Sequence, residues 1–298
     1  MKTEAFDPRY RELDLWPTTL AVEAMLEGQM AAVAAIQSQT QAIGLAAEAA
    51  AARLEDCGRL IFVGAGTSGR LAVQDGTELH PTYGWPMERM VFLMAGGSDA
   101  LSEAQEGAED DADAGRADIV AAGAGPNDVV IGVAASGRTP YTLAAIEQAR
   151  RAGALTVGIA NNAGSALLDA SEYPLCAVTG GEIVAGSTRM KAGTAQKAML
   201  NLLSTAIMIR LGRVYEGRMV AMRISNAKLL QRGRGMVQDI AGVDADTAAR
   251  ALEAAGNEIR LGVLVALDRP VAEGEALLRA CGGDLRKALM MLKGQAEL

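Results

Sequence analysis

Residues 128–141 read Asp128-Val129-Val130-Ile131-Gly132-Val133-Ala134-Ala135-Ser136-Gly137-Arg138-Thr139-Pro140-Tyr141. The near-continuous apolar run predicts a strand over 128–133 that is buried on both faces, as in a parallel sheet. Small, hydroxyl-bearing residues follow. Pro140 then has the fixed φ and the missing N–H that suit the first position of a helix, predicted over 141–152. A loop between a strand end and a helix start offers free backbone N–H groups beside the positive end of the helix dipole, which suits an anion. Thr139 is open to two readings, an N-cap or a phosphate contact; a cap requires neither Ser136 nor Arg138.

The same unit recurs along the chain. The run Arg59–Val63 leads into Gly64-Ala65-Gly66-Thr67-Ser68-Gly69-Arg70 and then a helical pattern. Further β-rich runs cover Met90–Ala95, Leu155–Ala160 and Pro174–Thr179. This alternation predicts an α/β fold, a parallel sheet with helices on both faces, whose ligands sit at the carboxyl ends of the strands. A third loop, Gly186-Ser187-Thr188-Arg189-Met190-Lys191, opens a long helical pattern over Met190–Leu211. Glycine lets backbone approach a ligand, Thr67, Ser68, Ser136, Thr139 and Ser187 supply hydroxyl donors, and Arg70, Arg138 and Lys191 supply charge. Three such loops point to a phosphorylated small molecule. Gly64-x-Gly66-x-x-Gly69 also satisfies the dinucleotide fingerprint, and a merely structural turn is a further reading. The dinucleotide reading needs an acidic residue ending the next strand, where this chain has Gly96-Gly97-Ser98, with Asp99 beyond.

Composition bounds the rest. Half of the 298 residues are hydrophobic and only 3% aromatic, so the core must be built from Ala, Leu, Val, Ile and Met. Twenty-eight basic against thirty-six acidic side chains give a net charge of −8, which disfavours a nucleic-acid or anionic-membrane partner. Cys57, Cys176 and Cys281 have no ligand-like spacing and read as reduced thiols, in keeping with a cytoplasmic location. The N-terminus carries no secretory pattern. No stretch reads as reaching the roughly 18 apolar residues of a membrane span; Ala198–Ile209 is the longest candidate. Residues 1–18 read as a polar lead-in, Thr19–Leu54 as one or two helices, and the chain beyond Met219 as helical, over 244–254, 258–267 and 271–281.

Acid–base groups are few. The single histidine, His80, has no metal-ligand spacing and reads as a loop or surface residue. No Ser–His–Asp arrangement can be assembled, which leaves carboxylates. Glu78 closes the helix that begins at the first loop. Glu109 lies in the Glu103–Asp113 cluster, which from composition alone reads most economically as a solvated acidic face.

Taken together, Gly64–Arg70, Asp75-x-x-Glu78-x-x-Pro81-Thr82-Tyr83-Gly84, Glu106-Gly107-Ala108-Glu109-Asp110, Ala135–Tyr141 and Gly186-Ser187-x-Arg189-Met190-Lys191-Ala192-Gly193-Thr194-Ala195-Gln196-Lys197 closely resemble the N-acetylmuramic acid 6-phosphate etherase family. That family has the sugar-isomerase (SIS) phosphosugar-binding fold. The resemblance implies a five-stranded parallel sheet flanked by helices over 49–218, a helical lead-in over 1–48 and a small three-helix, ubiquitin-associated-like unit over 219–298. It implies cleavage of a lactyl ether on a phosphosugar without metal, nucleotide or redox cofactor. By the same resemblance Glu78 is the acid that protonates the departing oxygen and Glu109 the partner base. SIS proteins hold phosphate with a Ser-x-Ser-Gly-x-Thr loop. Here Ser136 and Thr139 match, but Ala134 replaces the first serine, so the grip leans on Thr67, Ser68 and backbone N–H groups. SIS proteins commonly build sites between subunits, which implies a homodimer with shared sites. A phosphosugar-sensing regulator and an aldose–ketose isomerase are the competing readings.

Overall fold

The β-rich runs form five strands, β1 (Leu60–Gly64), β2 (Met90–Met94), β3 (Val129–Val133), β4 (Leu155–Ala160) and β5 (Tyr173–Cys176), in a computed structural model that describes residues 3–55, 57–103 and 105–296. All pair in parallel, in the order β2-β1-β3-β4-β5. The apolar runs explain the placement. Strands β1, β3 and β4 are buried at every residue and lie inside the sheet, while the edge strands β2 and β5 are partly open. The chain leaves β1 for one side of the sheet and returns to the other at β3, so the switch point lies between these two strands. Their register pairs Gly64 with Val133, which brings the loops after both strands to one level.

At the opposite ends of the same strands, Arg59 forms a two-pronged ion pair with Asp128, with Nη2 to Oδ2 at 2.7 Å. Burial pushes the Asp128 carboxyl up, but hydrogen bonds from the Arg59 side chain and from the Arg59 and Gly125 backbones outweigh it and hold the group below the usual carboxylate range.

Helices α1 (Thr18–Ala34) and α2 (Thr40–Leu54) are separated by a 3₁₀ turn at Gln37–Gln39. Buried Ala46, Ala47, Ala50 and Ala51 let α2 lie close against β3, β4 and β5, which is how a core almost without aromatics is filled. Only Ala32 of α1 is buried, and Leu20, Leu26, Met30 and Val33 are exposed. One expectation needs correcting: an 18-residue window within Thr18–Leu54 reaches a mean hydropathy of 1.3, enough by length and composition alone to cross a membrane, a test that core helices of soluble proteins also pass. Alanine raises that value without forming an obvious block of large apolar residues.

Five of the next six helices belong with the sheet: α3 (Gly66–Thr77), α5 (Ala112–Ala121), α6 (Pro140–Arg151), α7 (Ala166–Ala170) and α8 (Lys191–Arg210); the sixth, α4 (Leu79–Tyr83), does not. The chain divides into two compact units, residues 1–76 with 88–206, and residues 77–87 with 207–298. Buried Asp75 on α3 accepts a hydrogen bond from Asn201 on α8, and burial pushes its carboxyl above the usual range despite that bond.

The second unit is helical. It comprises α4, α9 (Ala227–Ala241), α10 (Ala245–Ala254), α11 (Ile259–Ala266), α12 (Val271–Ala280) and α13 (Leu285–Ala296) around Leu252, Val263, Leu264 and Leu285. Asn226, Asp244 and Glu258 cap α9, α10 and α11 through their side chains. The helices predicted over 244–254, 258–267 and 271–281 are α10 to α12. Among the described residues α9 and α13 flank them, so the region past Met219 holds five helices where three were expected. No sequence signal marked residues 77–87 as part of this unit. They are held there by Arg223 N–H donating to the Pro81 carbonyl (3.0 Å) and by fully buried Trp85 under the Arg213 guanidinium. His80 Nδ1 is 2.8 Å from the Trp85 carbonyl oxygen.

Candidate active site

The loops after β1 and β3 border a cavity of about 490 Å³. Thr67 and Ser68 enter it from the start of α3, and Ser136, Arg138 and Thr139 from the turn before α6. Each loop owes its shape to a glycine. Gly66 has φ +53° and Gly137 φ +64°, a region that side chains with a Cβ rarely adopt. The first N–H groups of each helix have no intrahelical acceptor.

The hydroxyls are available. Thr139 occupies the N-cap position of α6 but makes no side-chain cap hydrogen bond, which settles the local ambiguity against a capping role. Ser136 Oγ accepts from the Arg138 N–H at 3.1 Å, which leaves its own hydrogen to donate elsewhere. Ala134, where the SIS pattern has a serine, is buried and does not line the cavity.

The acidic cluster is divided by function. Asp111 caps α5, accepting from Ala114 N–H at 2.8 Å, and Asp113 pairs with Arg116. Glu109 and Asp110, in a 3₁₀ turn over Ala108–Asp110, line the cavity. Glu78 is not among the lining residues. It is exposed, follows α3 and precedes α4, and belongs to the second unit.

The remaining expected contacts lie elsewhere. Arg70 donates to the Ala100 carbonyl (Nε, 3.0 Å) and the Glu103 carbonyl (Nη2, 3.4 Å), bracing the loop after β2. Lys191 Nζ donates to the Gly181 carbonyl at 2.8 Å. Ser187 does not line the cavity, although its neighbours Gly186 and Thr188 do. The start of α8 is already occupied. The fully buried Glu182 carboxylate accepts from Lys191 N–H and Ala192 N–H, both at 2.9 Å, and takes the place an anionic ligand would have there.

Sequence reasoning missed Glu4, Asp110 and Thr188 as lining residues. Glu4 arrives on the N-terminal segment, where buried Thr3 is bound to Asn162, and no local pattern links it to loops more than sixty residues away. Among the described residues no group of three or more His, Cys, Asp or Glu is placed to hold a metal ion. The arrangement therefore supplies hydroxyl and amide donors, one guanidinium and carboxylates around one cavity.

Comparison with known proteins agrees with this chemistry. The chain is similar to the glucokinase regulatory protein N-terminal SIS domain over residues 42–150 and to the SIS domain over residues 111–206. It is 48% identical over 289 residues to the N-acetylmuramic acid 6-phosphate etherase of Deinococcus radiodurans, covering 97% of this chain and 95% of that protein. It is 46% identical over 298 residues to the enzyme of the same name from Streptomyces coelicolor, covering 99% and 95%. Among solved structures, a Bacteroides fragilis protein assigned as a phosphosugar isomerase involved in capsule formation superposes with a TM-score of 0.51. It is 22% identical, with 67% of this chain and 95% of that chain covered, and supports the fold alone.

Proposed function

The chain belongs to the N-acetylmuramic acid 6-phosphate etherase family, and on that premise we propose that it cleaves the D-lactyl ether of N-acetylmuramic acid 6-phosphate to N-acetylglucosamine 6-phosphate and D-lactate. The observation that carries this reading is the cavity at the β1/β3 switch point, where phosphate-type donors and the Glu109 carboxylate share one space. Thr67, Ser68, Ser136, Arg138, Thr139 and the N–H groups opening α3 and α6 hold the phosphoryl group. Arg70, Ser187 and Lys191 act through the loops they brace or belong to.

An ether oxygen is a poor leaving group. In the ring-opened sugar the C1 aldehyde acidifies the C2 proton, which Glu109 removes as base. Glu78 protonates the C3 oxygen, lactate departs, and water adds across the resulting double bond. No group outside these side chains and water is required to balance the protons. The protein acts as a carbon–oxygen lyase. Incubation with N-acetylmuramic acid 6-phosphate is expected to release lactate in amounts equal to N-acetylglucosamine 6-phosphate. Binding without lactate release would instead indicate a sensor, and C2 exchange or ketose formation with the ether intact an isomerase.

The site is shared between two copies of the chain. Helix α3 runs unbroken from the phosphate loop to Thr77, about 15 Å by helix geometry, so the chain does not turn back toward that loop before Glu78. Completion of the site by a partner's Glu78 is consistent with the exposed apolar residues Leu20, Leu26, Met30 and Val33 of α1. Native mass spectrometry is expected to give a dimer. Full activity in a preparation containing only monomers would remove this arrangement. The chemistry of the family and the net charge of −8 are in keeping with a cytoplasmic enzyme that has no nucleic-acid or membrane partner.

A further inference from the structure

Besides the two phosphate-type loops, the cavity has a wall contributed by the extreme N-terminal segment. Thr3 is fully buried, its N–H 3.4 Å from Asn162 Oδ1 and its Oγ1 accepting from Asn162 Nδ2 at 2.9 Å. The same Asn162 Nδ2 donates to the Ala135 carbonyl at 2.9 Å, so the segment is fastened directly to the loop after β3. Glu4, next in the chain, lines the cavity. One carboxylate oxygen, Oε2, lies 3.3 Å from the position a Cβ on Gly186 would take, and Gly186 itself lines the cavity. The segment thus joins the second loop to the third and adds a carboxylate, besides Glu109 and Asp110, to a cavity whose hydroxyl, amide and guanidinium donors suit an anion.

A carboxylate in that position is unfavourable for bare phosphate and favourable for a ligand that also carries hydroxyl or amide N–H donors. We propose that Glu4 is a substrate-binding residue that accepts hydrogen bonds from the hydroxyl or acetamido groups of the phosphosugar, so that the cavity selects an amino-sugar phosphate over inorganic phosphate. This rests on the phosphosugar reading given above and adds a specificity role to it. Asn162 acts as a positioning residue, holding Thr3 and the Ala135 loop together.

The test is calorimetric titration of the full-length protein with N-acetylglucosamine 6-phosphate and, separately, with inorganic phosphate. Glu4→Gln is expected to weaken the phosphosugar about tenfold or more, the range of a hydrogen bond to a charged group, and to leave phosphate equal or tighter. Thr3→Val, which removes the anchoring hydroxyl at nearly constant volume, should shift the preference in the same direction. Equal phosphosugar affinity in Glu4→Gln and the parent protein, or equal weakening of both ligands, overturns the role of Glu4 while leaving the phosphosugar reading in place. Failure of the parent protein to bind the phosphosugar overturns both.

Discussion

Glu109→Gln is expected to abolish lactate release, with kcat lower by about 10²- to 10⁴-fold, the range over which a positioned acid or base contributes. Glutamine keeps the volume and an acceptor oxygen but cannot take up a proton. KM should stay near that of the parent, because the phosphate donors on the loops after β1 and β3 are untouched. Glu78→Gln should lose lactate release to a similar extent through a different step. The two separate in deuterated buffer: a protein that keeps the base but lacks the acid still exchanges the C2 hydrogen, whereas one without the base does not. Turnover like the parent's in either variant removes that residue's assignment. Exchange retained by Glu109→Gln and lost by Glu78→Gln would reverse the two roles.

Gly137→Ala has the next largest expected effect, and it acts on the cavity's shape. Gly137 has φ +64°, which costs a residue with a Cβ about 1–2 kcal/mol. The added carbon would also sit 2.1 Å from Ser165 Oγ and 2.5 Å from Ser165 Cβ, so α7 and the loop before α6 must move apart. Their separation breaks the hydrogen bond from Leu167 N–H to the Gly137 carbonyl, 2.9 Å long. Overpacking of this kind adds about 1–3 kcal/mol, for a total loss of about 3 kcal/mol, measurable by urea denaturation. KM for the phosphosugar should rise more than tenfold, since Ser136, Arg138 and Thr139 all depend on the turn. Adding Ser165→Gly relieves the clash but not the strained φ, so the double variant should recover part of the stability. Complete recovery would mean that φ carries no cost here, and no recovery that Ser165 is not the obstacle.

Much of the fold was legible because its signals are local. The apolar run Val129–Val133 specifies a strand that is covered on both faces, and it is one of the inner strands of the sheet. Alanines at helical spacing in Thr40–Leu54 specify a helix able to approach that sheet closely. The hydroxyl-rich loops after β1 and β3 were equally legible, since glycine, serine and threonine after a strand and before a helix leave the helix's first N–H groups without an intrahelical acceptor. The hydropathy of Thr18–Leu54 was less legible, because an alanine-rich helix carries it without a run of large apolar residues.

The sequence by itself determined the strand–loop–helix alternation, the glycines that shape the loops and the residues with phosphate-type chemistry, because each follows from neighbours a few positions apart. Only the tertiary structure decided which of those residues face one cavity. It turned Arg70 and Lys191 toward backbone carbonyls, set Glu182 at the start of α8, brought Glu4 in from the N-terminus and attached residues 77–87 to the helical unit. Those choices depend on acceptors and space supplied by distant parts of the chain, and a backbone carbonyl has the same appearance in every residue of a sequence.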